Sequence, residues 1–136
     1  MRALLTLSLA VLLTIQAKSQ NVVLGTDDNP IINKTEGEFL DSLLQVKSGA
    51  FELTNKRIAF IYGGSTGNAF QTKSAFFNEN VLPWTSRGRV PHLFLVPLTE
   101  AEKKKSGGYD AIIVAWAKVF TKGQKEKMLS KLARED

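Results

Sequence analysis

The segment Gly63-Gly64-Ser65-Thr66-Gly67-Asn68 carries the densest potential chemistry in this 136-residue chain. Its glycines permit a tight turn that gathers backbone N–H groups, and Ser65, Thr66 and Asn68 add side-chain donors. A loop of this kind, running from a strand into a helix, can cradle a phosphate or another anion, because the helix N-terminus adds partial positive charge. The same residues also suit a plain strand-to-helix turn capped by Thr66 or Asn68. Cysteine is absent and His92 is the single histidine. Disulfides, thiol nucleophiles, CxxC redox pairs and thiolate metal sites are therefore excluded. A Ser-His-Asp triad would have to use His92, which has no nucleophile elbow near it and reads as structural. Asp27-Asp28-Asn29 lacks the spacing of a calcium loop and reads as a turn.

Three apolar runs, residues 58–62, 93–96 and 111–116, are the elements that would position these groups. None alternates polar with apolar, the pattern of strands inside a parallel sheet. Parallel strands need crossovers of about a dozen residues or more. The gap 63–92 is ample and predicts a helix around 69–80 with Phe70, Phe76 and Phe77 available to the core. The gap 99–110 only just suffices. There Thr99-Glu100-Ala101-Glu102 has capping-box form, and Gly107 and Gly108 end a short helix. Upstream, Phe39, Leu40, Leu43, Leu44 and Lys47 form the stripe of a helix over 36–47, with Thr35 as N-cap and Gly49 as stop. Downstream, Thr121-Lys122-Gly123-Gln124 opens a last helix with Met128, Leu129 and Leu132 on its apolar face. Trp84 and Trp116 read as packing residues.

Residues 57–69, RIAFIYGGSTGNA, resemble the first strand and phosphate loop of the flavodoxins. Tyr62, Gly63, Thr66, Gly67 and Asn68 match that loop, while Gly64 and Ala69 stand where the family has hydroxyl residues. Tyr109-Asp110-Ala111-Ile112-Ile113-Val114 is similar to the family's third strand. The segment after it has an aromatic, Trp116, without the family's ring-packing motif. The likeness covers residues 57–132, about the first half of a flavodoxin. It implies a flavodoxin-like unit of strand order 2-1-3 and, as one alternative for function, a redox protein using flavin mononucleotide.

Residues 1–19 have the layout of a cleaved signal peptide. Arg2 precedes an apolar run, and Ala17-Lys18-Ser19 puts small residues three and one before Gln20. The run is too short to span a bilayer, which takes about 20 residues. Of the 18 basic residues, Arg2 and Lys18 lie in this segment, so 16 remain against 13 acidic ones, a net charge of +3. That excess is small for a nucleic-acid binder, and Lys103-Lys104-Lys105 suits a solvated helix end.

The expected organisation is a leader (1–19), a lead-in with an amphipathic helix (20–56) and an α/β core (57–136) forming one domain with the segment before it. The fold expected is a small three-layer α/β domain with a short parallel sheet, flavodoxin-like, with a thioredoxin-like arrangement as the alternative. Ligands of open parallel sheets sit at the carboxyl ends of the strands. The candidate ligand-binding residues are thus Gly64, Ser65, Thr66, Gly67, Asn68, Trp116 and Lys118, around a small anion. Gly67→Asp or Lys118→Glu would abolish binding at such a site. The expected role is a secreted or periplasmic, non-catalytic binding module with no cofactor, nucleic-acid partner or membrane insertion. Its other alternative is an interaction module, a monomer or a homodimer paired through a sheet edge.

Overall fold

The computed structural model describes residues 27–44, 51–64, 67–117 and 121–135. The expected leader (1–19), Gly49, Ser65, Thr66 and Lys118 lie outside them. Ile58–Gly64 (β1) is a strand of unbroken apolar character that forms a hairpin with Gly67–Gln71 (β2), in register from Phe60 opposite Gln71 to Gly64 opposite Gly67. A helical stretch follows, made of Lys73–Phe76 (α2), a π turn over Phe77–Val81, and Leu82–Thr85 (α3). Leu93–Pro97 (β3), Glu100–Lys105 (α4), Ala111–Ala115 (β4) and Lys122–Glu135 (α5) complete the order, after an initial helix, Lys34–Leu43 (α1).

The expectation of a mixed α/β domain with an N-terminal helix holds, but the strand order does not. The sheet runs β2-β1-β4-β3, and only the β1–β4 pair is parallel. Residues 111–115 lie between the other two predicted strands instead of at an edge, and the 93–97 strand is antiparallel to them. The cause is α4, a helix of six residues. It is too short to carry the chain across the sheet, so β4 returns beside β3. Central β4 is buried at all five positions, whereas edge strand β3 is buried only at Leu93 and Leu95.

Strand alternation divides the core into two layers. Ile58, Phe60, Ala111, Ile113 and Ala115 face α1, α2 and the π turn, where Phe60 meets Phe76 with ring centroids 4.7 Å apart. Ala59, Ile61, Ile112 and Val114 face α5 through Met128, Leu129 and Leu132. Phe70, expected on a helix, reaches this second layer from β2, opposite Ile61.

Capping groups settle where the helices begin. α1 starts at Asn33 rather than Thr35, because Asn33 Oδ1 accepts from Glu36 N (2.8 Å) and Glu36 Oε1 accepts from Asn33 N (3.1 Å), a full capping box. The predicted boxes at Thr99–Glu102 and Thr121–Gln124 both form. The Asp27-Asp28-Asn29 turn has a second task. Asp28 Oδ1 accepts from Ser74 N (3.0 Å) and Ser74 Oγ (2.6 Å), holding the start of α2. Beside it the ammonium of Lys73, almost fully buried, lies 3.0 Å from Glu36 Oε1 and 3.0 Å from Asp27 Oδ1. This pair ties α1 to α2 through the core, where an unpaired charge would be costly.

Candidate functional site

The described residues of the 63–68 segment belong to two antiparallel strands, β1 ending at Gly64 and β2 beginning at Gly67, and do not lead into a helix. Gly64 pairs with Gly67 and Gly63 with Asn68, so two residues separate the strands, a common hairpin length. The next helix begins only at Lys73, capped by Thr72 Oγ1, which accepts from Ala75 N (3.3 Å). The strand-loop-helix arrangement implied by the flavodoxin resemblance is therefore not the one found. Gly63 is needed for a different reason, since a Cβ there would lie 2.6 Å from the Ala117 Cβ and 3.0 Å from its backbone. The close approach it permits is to the chain leaving β4.

That chain makes a sharp change at Trp116. Simple alternation would put its side chain beside Ile112 and Val114, on the α5 side. Its φ of 68° breaks the alternation, and the indole packs on the α1 side with the first core layer, while Ala117 packs on the other. A left-handed conformation costs a non-glycine residue on the order of 1–2 kcal/mol, so it persists only where surrounding contacts fix it. Three contacts do so. Trp116 N donates to His92 O (3.0 Å), its indole N–H donates to Asn80 Oδ1 (3.1 Å), and its ring lies 4.8 Å from that of Trp84, tilted by 48°.

The π turn supplies the facing wall. Asn80 is 2% exposed, and both ends of its amide are engaged, Oδ1 by Trp116 and Nδ2 by donation to Gln71 Oε1. Gln71 Nε2 in turn donates to Glu79 Oε1 (2.9 Å). Tyr62, two residues before the end of β1, is 40% exposed. Tyr62, Glu79, Asn80, Trp84 and Trp116 together line a cleft of about 330 Å³ at the carboxyl ends of the two parallel strands.

A second cavity, of about 390 Å³, lies at the opposite end of β1 and includes Arg57, Lys73 and Tyr109 in its wall. Its cations are committed to the fold: Lys73 to Glu36 and Asp27, and Arg57 to the face of Tyr109, 4.6 Å from the ring centroid. The aromatic cleft differs in combining an exposed ring, a strained residue and a π turn, a feature frequent at functional sites.

Of the predicted ligand residues, only Trp116 reaches this cleft among the described ones. Gly64, Gly67 and Asn68 belong to the hairpin; Ser65, Thr66 and Lys118 lie outside the described residues. The sequence expectation and this cleft share the carboxyl ends of the strands and Trp116; Tyr62, Glu79, Asn80 and Trp84 are not among the residues the sequence singles out as ligands. The available signal was that the chain's only two tryptophans each lie close after an apolar run or helix. The π turn that aims Asn80 and Glu79 had none. His92, exposed just before β3, takes part through its carbonyl.

Comparison with curated proteins and with solved structures gave no match. The model of one family, described as a domain of unknown function (DUF8192), matches residues 28–134, from the turn that holds the start of α2 to the last turn of α5. The chain belongs to the DUF8192 family.

Proposed function

We propose that this protein is a non-catalytic binding module that holds a small molecule in the Tyr62–Trp84–Trp116 cleft. The observation that carries this reading is Trp116, whose strained backbone turns the indole away from its natural face and onto Trp84. A packing role alone would not require that strain, because a residue in ordinary strand geometry could fill either core layer. Ligand cleft and strand ends coincide as they do in open α/β sheets. Among the described residues, the cleft holds no cysteine, histidine or paired carboxylates with which to break bonds.

The 1–19 leader, with its basic start, apolar run and small residues before Gln20, supports work outside the cytoplasm. A mature N-terminus near Gln20, read by mass spectrometry of protein from its own host, checks that part. The binding role is tested by screening small molecules of either charge against the purified protein and a Trp84→Ala variant, with tryptophan fluorescence as readout. Saturable responses lost in the variant support it; a folded protein that responds to nothing in the panel would refute it. Under the alternative flavin reading, purified protein would be yellow, and the present reading expects it colourless.

A further inference from the structure

We propose that the cleft recognises an organic ammonium cation, specifically the trialkylammonium head of a small free solute; this inference rests on the binding role proposed above. Three aromatic side chains from three elements, Tyr62 of β1, Trp84 of α3 and Trp116 after β4, converge on one cleft. Ring faces carry negative potential and attract cations, most strongly when the ring is tryptophan. Glu79 adds a carboxylate at the same cleft, and its Oε1 is fixed by Gln71 Nε2 at 2.9 Å.

The hydrogen-bonding groups argue in the same direction. The indole N–H of Trp116 and both ends of the Asn80 amide are already engaged with one another and with Gln71. The Trp116 donor is closed to a sugar or an anion, which would find the Tyr62 hydroxyl and the Trp84 indole N–H but, among the described lining residues, no cationic side chain. A quaternary trialkylammonium head has no lone pair to accept from a donor and no N–H to donate, so it requires neither. Its charge is met by ring faces and by Glu79, and its methyl groups by the apolar ring surfaces. Among the described residues, the lining contains no cationic side chain to repel it.

Isothermal titration of the purified protein with choline and with its uncharged carbon isostere, 3,3-dimethyl-1-butanol, tests the proposal. Choline is expected to bind about tenfold more tightly than the isostere, the charge being the only difference. Glu79→Gln, at an exposed position, should keep the wild-type melting temperature, weaken choline roughly threefold or more, and leave the isostere unchanged. Equal binding of choline and isostere overturns the cation proposal, as does preferential binding of phosphate or a monosaccharide lost in Trp84→Ala; both outcomes leave the binding role standing. Binding to phosphatidylcholine vesicles without binding of free choline overturns the free-solute assignment. No binding of any of these probes overturns the cation proposal, and the binding role falls with it only if the small-molecule panel described above also gives no response.

Discussion

The indole N–H of Trp116 donates to Oδ1 of Asn80 at 3.1 Å, joining residues 36 positions apart. One lies just beyond a central strand in a left-handed conformation, and the other is buried in a π turn. Each explains the other. The π turn directs the amide inward, and the amide gives the displaced indole a partner. Asn80→Leu should therefore cost about 1–3 kcal/mol, since it removes the acceptor and leaves the Trp116 N–H and Gln71 Oε1 without their present partner. Urea unfolding measures this, and a loss below about 0.5 kcal/mol would show that the bond does not hold the ring.

Lys73 and Glu36 form a buried ion pair whose partners come from different helices. Lys73→Met leaves the Glu36 carboxylate buried beside an apolar side chain, which should cost about 3–5 kcal/mol. The double variant Glu36→Gln/Lys73→Met removes both charges, and its glutamine can still serve the capping box with Asn33. It should recover most of that loss. If the double variant is as unstable as the single one, the pair is not the source of the cost.

Gly63→Ala places a methyl group 2.6 Å from the Ala117 Cβ. Overpacking of this kind costs about 1–3 kcal/mol. Adding Ala117→Gly should return part of the stability, because contacts with the Ala117 backbone at 3.0 Å remain. A glycine needed only for hairpin flexibility would show no such rescue, so thermal unfolding of the three proteins separates the two causes.

Asp110 anchors the start of β1 and meets α4: Oδ2 accepts from Arg57 N (2.8 Å) and Oδ1 lies 2.8 Å from Lys103 Nζ. Burial raises its pKa, but the hydrogen bond and charge of Lys103, with the Arg57 N–H, outweigh burial and hold it below the ordinary carboxylate value. A depressed folded-state value means the unfolded chain binds the proton more readily. The stability it contributes is present above the ordinary value of 3.8 and is lost as pH falls through the lower folded value. Asp110→Asn should thus be less stable than wild type at neutral pH, with the gap narrowing below about pH 4. A gap of constant size down to about pH 2 would contradict this linkage.

The elements were legible where a local rule acts alone. Thr99 and Thr121 open helices because their capping partners are three residues away, and Met128, Leu129 and Leu132 form a face because helical spacing aligns them. Topology was not legible, because it depended on two lengths. The helix of Glu100–Lys105 is too short for a crossover, and Gly64 pairs with Gly67, only three positions on, where a phosphate loop was expected. Most of the site escaped for a related reason. Tyr62, Asn80, Trp84 and Trp116 meet only after β4 pairs with β1 and a π turn shifts the helix, and no periodicity announces either event.

Because Trp84 and Trp116 are the chain's only tryptophans, the protein has two indole N–H resonances, both reporting on the cleft. The most direct test is to follow these two resonances, with the backbone amides, in ¹H–¹⁵N spectra as choline is added. The account predicts saturable shifts of both indole signals and of amides around Tyr62 and Glu79, with little change at Arg57, Lys73 and Tyr109. Saturable shifts confined to the Arg57–Tyr109 cavity, or unchanged indole signals with any ligand that binds, would contradict it.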